Sequence, residues 1–330
     1  MAQIVVENLS KSYEIAERDP GLLGAARGLF RRRKRVIEAL SDVSFSLERG
    51  ELLGFIGPNG AGKSTTIKIL SGILTPSAGR CTVDGLTPWE DRIKHVAHIG
   101  VVFGQRTQLW WDLPVIEGFD LLADIYRVPL REYKRTRDRL VDLMRLERLL
   151  DQPVRQLSLG QRMRCEIAAS LLHRPRLLFL DEPTIGLDAT TKLAVRDIVR
   201  TLNREEGVTV ILTTHDMHDI EALAERVMVI GQGRLLADTS FQALRAGILA
   251  ERRLHVEFNG PAPELTLPGV EMRKRAGAKV ELAFDPRATS ASALVAAIAA
   301  SHDVRDIHVE EPLIEEVIAR FYALHGAQEH

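Results

Sequence analysis

Two cysteines, Cys81 and Cys165, are all that the 330 residues contain. That excludes a disulfide framework and fits a reducing compartment. Neither sign of charge is in excess: 44 Lys+Arg stand against 45 Asp+Glu, so no chain-wide field favours nucleic acid. Long apolar runs are missing too. A bilayer span needs about 18 apolar residues, and the best candidate, Ala288 to His302, is shorter and Ala/Ser-rich. The opening MAQIVVENLSKSYE lacks a basic region followed by an apolar core, so no secretory signal is expected and the protein is placed in the cytosol. With 45% hydrophobic and 27% charged residues, the chain has an ordinary globular composition. Its length suits about two domains, each able to bury a core without staples.

What is present is an alternation. ELLGFIG (51–57), HIGVVFG (98–104), RLLFLD (176–181), VTVILTT (208–214) and RVMVIGQG (226–233) are brief, continuous apolar runs. Such runs predict strands buried on both faces of a largely parallel sheet, with helices between them. Between about 106 and 172 the pattern is helical and highly charged, with Leu140, Leu143, Met144 and Leu146 at helical spacing. After Phe241 the alternation stops. LHVEFNG, KVELAFDP, an Ala-rich helix, RDIHVEEP and a helix near Leu313–Leu324 predict a small α+β domain in the order β, β, α, β, α, for packing or dimer contact.

The sharpest chemical signal is Gly57-Pro58-Asn59-Gly60-Ala61-Gly62-Lys63-Ser64, which fits G-x-x-x-x-G-K-[ST] in full. It follows a predicted strand and leads into TTIKILSGIL, a helical pattern beginning with Thr65. Glycines let the backbone N–H groups turn inward around phosphate oxygens, and the helix adds its positive dipole end. Lys63 is expected to reach the β- and γ-phosphates and Ser64 to bind Mg²⁺. LLFLDEP (177–183) ends an apolar strand in two acids. Asp181 is expected to act on Mg²⁺ through water and Glu182 to polarise the attacking water. In LSLGQRMR (157–164), Ser158 and Gly160 begin a helix as an ordinary N-cap does.

In this order and at these spacings the motifs resemble those of ATP-binding cassette (ABC) ATPase subunits, over about residues 3–240. The resemblance implies an α/β P-loop NTPase cassette: a RecA-like core sheet plus the helical subdomain at about 106–172, within an ATPase domain spanning 1–240. The small domain at 241–330 lies outside it. It implies that Gly57–Thr65 bind ATP, with Tyr13 stacking on adenine. Gln105 is implied as a metal-touching residue that senses the membrane partner, Asp188 as the D-loop acid and His215 as the switch histidine. Leu157-Ser158-Leu159-Gly160-Gln161 matches the LSGGQ signature, whose Ser158, Gly160 and Gln161 act on the ATP of a second subunit. Leu159 replaces a glycine there and is expected to point outward. The implied assembly is a head-to-tail homodimer, closed by ATP and docked on separate integral-membrane permease subunits at the inner face of the membrane.

Residues 14–35 form an insertion relative to this pattern. Asp19 and Pro20 suit a helix start, Leu22, Leu23, Ala26, Leu29 and Phe30 share a face, and Arg31–Arg35 are all basic. An amphipathic element at anionic lipid headgroups competes with a solvated loop as its reading. No aromatic residues interleave with the basic run, which argues against nucleic acid. Trp110 and Trp111, in RTQLWWDLP, are two of three tryptophans and suit a partner contact. Together with the insertion they resemble ATPase subunits of ABC-2-type exporters, including a viologen-exporter-like group. A repair-type soluble ATPase is disfavoured because Lys63 and Asp181 are only 118 residues apart, too close for a long coiled-coil insert. A soluble ABC ATPase not involved in transport and an importer subunit are the two alternatives.

Overall fold

Alternation of buried and exposed residues begins the chain. Ile4, Val6 and Leu9 are buried along β1 (Ala2–Glu17), and Leu40, Val43, Phe45 and Leu47 along β2 (Arg33–Glu48). The computed structural model describes residues 2–17, 33–104, 106–248, 252–310, 318 and 321–323. These form two compact units, Met1–Phe241 and Gln242–Gln328.

The centre of the first unit is a six-stranded sheet. It is built from β3 (Leu52–Ile56), β5 (Ile99–Phe103), β6 (Leu177–Asp181), β7 (Thr209–Thr213), β8 (Arg226–Gly231) and β9 (Arg234–Ser240), in the order β5-β6-β7-β3-β8-β9. The first five strands are parallel and β9 is antiparallel. All five residues of β3 and of β7 are buried, which is why these segments carry no polar alternation. A second, antiparallel sheet has the order β2-β1-β4, where β4 is Ala78–Val83. The register of the central sheet sets Phe103 beside Asp181, Asp181 beside Thr213 and Thr213 beside Phe55. Four chain segments therefore end in one row, at the carboxyl edge where ligands of open α/β sheets bind.

Helices α1 (Lys63–Leu70) and α2 (Arg92–Val96) precede β5, while α3 (Val115–Ile125), α4 (Leu130–Met144) and α5 (Leu159–Leu171) lie between β5 and β6. On α4 the buried set is Tyr133, Leu140, Val141 and Met144, a narrow stripe on an otherwise charged helix. After β6 come α6 (Ala189–Arg204) and α7 (Met217–Leu223), and α8 (Phe241–Ile248) follows β9. The β1–β2 ladder continues past the Tyr13–Ile37 pair to Glu17–Arg33, so the ends of the 14–35 insertion are paired strand. The helix expected at Asp19–Phe30, with Arg31 and Arg32, lies outside the described residues.

The second unit is a four-stranded antiparallel sheet in the order β11-β12-β10-β13, with β10 (Arg252–Phe258), β11 (Val270–Ala276), β12 (Lys279–Phe284) and β13 (Val304–Glu310). Leu254, Val256, Phe258, Leu282 and Phe284 pack with Leu294 and Ile298 of α9 (Ala291–Ser301). Its order is β, β, β, α, β, one strand more than the sequence pattern suggests. The extra strand, VEMRKRA, buries only Val270 and Met272 in part and turns charge outward, so it lacks an apolar run. Most of the helix expected at Leu313–Leu324 falls outside the described residues.

Candidate active site

The loop from Gly57 to Gly62 leaves the buried strand β3 and enters α1 with Gly62 at φ 112°, a conformation costly for residues with a Cβ. Lys63 is buried at the loop, and its Nζ donates to the carbonyls of Gly57 at 2.5 Å and Pro58 at 3.0 Å. Burial lowers the Lys63 ammonium below its ordinary pKa, an effect opposed by the charges of Glu182 and Asp181. The next residue, Ser64, bonds Asp181, so the loop meets the acids at the end of β6.

Those acids are held by the neighbouring strand. Thr213 Oγ1 donates to Asp181 Oδ1 at 2.5 Å, and Ser64 Oγ donates to the same oxygen at 3.2 Å. The Glu182 N–H donates to Thr213 O at 2.9 Å, and Glu182 itself sits at φ 53°, left-handed for a non-glycine residue. His215 Nδ1 lies 3.6 Å from Glu182 Oε1. The Gly104 N–H donates to Asp181 O at 2.8 Å, and a Cβ there would stand 2.1 Å from Glu182 O. Only glycine lets the end of β5 lie flush against the two acids. Among the described residues no group of three or more His, Cys, Asp or Glu could hold a metal. The Ser64 hydroxyl and Asp181 carboxylate are instead the hard-oxygen pair that suits Mg²⁺, which takes few protein ligands and completes its shell with phosphate and water.

The LSLGQ segment is built separately. Ser158 caps α5: its Oγ accepts from the Gln161 N–H at 3.2 Å, while the Ser158 N–H donates to Gln161 Oε1 at 2.9 Å. Gly160 lies against the Thr191 side chain, and Thr191 donates by N–H and hydroxyl to Asp188 at 2.9 and 2.7 Å, capping α6. These bonds, first the one from the Thr191 N–H, lower the Asp188 pKa. Leu159 does not point outward. It is half-buried, with Cδ2 3.1 Å from where a Cβ on Gly186 would stand.

The structure thus brings Gly57–Ser64, Asp181, Glu182 and His215 to one edge, with Thr65 in the first turn of α1. It gathers Ser158, Gly160, Gln161 and Asp188 elsewhere. No hydrogen bond or ion pair among the described residues joins the two groups. Tyr13 is half-exposed on β1 with Lys11 Nζ 5.3 Å from its ring centroid. Gln105 lies outside the described residues. Sequence reasoning misses Thr213 and Gly104, and also a buried network of Thr184, Thr214, Arg196 and Asp219 beside His215. The paired threonines before His215 are the one written signal of it.

Residues 40–185 match the family model described as ABC transporter. The chain is 30% identical to the linearmycin resistance ATP-binding protein LnrL of Bacillus subtilis, over 83% of this chain and 90% of that one. It is 37% identical to the methionine import ATP-binding protein MetN of Geobacillus kaustophilus, over 61% of this chain and 59% of that one. Against ABC transporter A family member 1 of Dictyostelium discoideum identity is 28% over 84% of this chain, which spans only 32% of that much longer protein. Among solved structures, the dimeric post-hydrolysis state of the ATP-binding cassette MJ0796 bound to ADP and Pi superposes with a TM-score of 0.61. It is 27% identical and covers 72% of this chain and 98% of that one.

Proposed function

The chain belongs to the ABC transporter ATP-binding family and is an ATP-hydrolysing subunit, and we propose that it powers export through separate ABC-2-type permease subunits. The observation that carries the reading is the meeting of Lys63, Ser64, Asp181, Glu182 and His215 at one sheet edge, while Ser158 caps a helix elsewhere. Such a chain holds half of a site twice over. In the proposed head-to-tail homodimer, Gly57–Thr65 of one subunit cradle the phosphates and Tyr13 stacks on the base. Ser158, Gly160 and Gln161 of the other present the α5 N-terminus to the γ-phosphate, where N–H groups and dipole favour negative charge.

Lys63 places its charge where the γ-phosphoryl gathers charge in the transition state. Glu182 accepts a hydrogen bond from the attacking water, and His215, in reach of the Glu182 carboxylate, holds the water and γ-phosphate in line. Mg²⁺, when bound with ATP, neutralises charge on the β- and γ-oxygens; Ser64, Asp181 and Gln105 are the residues that would hold it. Trp110 and Trp111, 40% and 49% exposed, are the proposed contact for the permease. The basic run ending at Arg35 is the proposed contact for anionic lipid.

The test mixes two inactive chains. Ser158→Arg blocks the signature and Lys63→Ala blocks the phosphate loop, so a mixed dimer contains one intact composite site. Recovered ATPase activity is expected; none, with dimers verified, refutes the shared site. Similarity to MetN favours import as a second reading, and copurification of a periplasmic or lipoprotein solute binder would decide for it.

A further inference from the structure

Glu166 sits on α5, eight residues after Ser158, which is about 12 Å along the helix axis. It is 3% exposed, a rare place for a carboxylate without a strong partner. Among the described residues, the hydrogen bonds to its carboxylate come from the segment that follows position 105. The Thr107 hydroxyl donates to Oε1, the Gln108 N–H donates to Oε2 at 3.1 Å, and Gln108 Nε2 donates to the Glu166 carbonyl at 3.0 Å. One turn earlier on the same helix, the Arg162 guanidinium lies 5.5 Å from the Trp111 ring centroid. Burial raises the Glu166 pKa, opposed by the bonds from Thr107, Gln108 and Leu109. On the other side of position 105, the Gly104 N–H donates to Asp181 O.

We propose that Glu166 is a positioning residue that makes the Thr107–Trp111 segment and the Ser158 helix move as one piece. Trp110 and Trp111 are exposed beside this clamp, so force applied to them reaches α5 through the carboxylate. A partner that presses on the tryptophans then moves Ser158 at the far end of a rigid helix. This rests on the reading that Ser158 serves a second subunit's ATP. Glu166 touches no nucleotide: its effect falls on how often the shared site is assembled, so it moves kcat and leaves the phosphate loop's own affinity alone.

The experiment is a double-mutant cycle of Glu166→Gln and Thr107→Val in the full chain. Gln keeps the size but turns an amide N–H₂ toward one of two donors. Thr107 is exposed, so its variant folds even if the other does not. Each single variant is expected to lower kcat at least fivefold, with ATP binding to the monomer changed less than twofold. The double variant should be no slower than the slower single one. In a Trp89→Phe background, acrylamide quenching of Trp110 and Trp111 should rise in both. Wild-type kcat in Thr107→Val, losses that multiply in the double variant, or unchanged quenching overturns the proposal. Because the cycle compares intact homodimers, such a result is distinct from failure of the mixed-chain test, which strikes at the shared site itself.

Discussion

Asp219, on α7, is 0% exposed and holds three groups at once. It accepts from the Thr184 hydroxyl, from Thr214 Oγ1 at 3.4 Å and from Arg196 Nε at 2.5 Å. Thr184 follows Glu182 by two residues and Thr214 precedes His215, so one carboxylate pins the loops that carry both residues to α6. Asp219→Ala takes the nearer of two carboxylates from the Arg196 guanidinium, which is 14% exposed. Removing one partner of a buried pair costs about 3–5 kcal/mol. Because Arg196 keeps some exposure and Asp216 at 3.9 Å, about 3 kcal/mol is expected, the lower end of that range. For a unit of this size the melting temperature should fall by about 6–12 °C. Calorimetry and urea unfolding measure it. The companion variant, Asp219→Leu with Arg196→Met, replaces the pair by apolar volume and should regain most of the stability. Its hydrolysis should stay impaired, since Thr184 and Thr214 still lack their anchor. A loss below about 1 kcal/mol in Asp219→Ala, a surface-pair magnitude, would refute the reasoning.

Two further outcomes are expected. Gly104→Ala forces a Cβ to within 2.1 Å of Glu182 O, so it should abolish turnover while nucleotide binding persists, at an overpacking cost of about 1–3 kcal/mol; ATPase and equilibrium binding assays separate the two. His173 stacks on Tyr126 at 3.9 Å and meets Ile99 O at 2.8 Å through Nε2, and burial lowers its pKa to about 4. Its folded pKa lies below the unfolded value of about 6.5, so its contribution is whole above that pH and is lost as pH falls toward 4, by roughly 3 kcal/mol in all. His173→Phe should flatten the difference in urea midpoint between pH 7.5 and pH 4.5; an unchanged slope assigns the acid sensitivity elsewhere.

The parts of this molecule that can be read from its sequence are those whose meaning lies in neighbouring residues. Gly57–Ser64 between strand and helix declares its conformation locally, and LLFLDE shows an apolar strand ending in acids. Ser158 and Gln161 likewise form a capping box within four residues. Thr213, Gly104, Glu166 and Asp219 have no such signature, because each acts on a group 31 to 78 residues away or across a helix pair. Strand β11 is hidden for a different reason. A sheet edge that buries two residues in part and solvates five looks, in one dimension, like a charged loop. Leu159 is misread because the glycine it packs on, Gly186, comes 27 residues later.

The row Phe103, Asp181, Thr213 and Phe55 bears on how the chain matures. Its members come from widely separated stretches, so this edge exists only after distant strands have paired, the slow and entropically costly part of folding. A partly folded chain carries the phosphate loop's residues but has no matching acids, and so presents little to ATP. Ligand that binds only the finished fold stabilises it by mass action, by about 2.7 kcal/mol at a hundredfold excess over Kd. The fuel is thus also a late folding partner. Nucleotide depletion would then do more than stop hydrolysis: it would lower the standing population of intact chains.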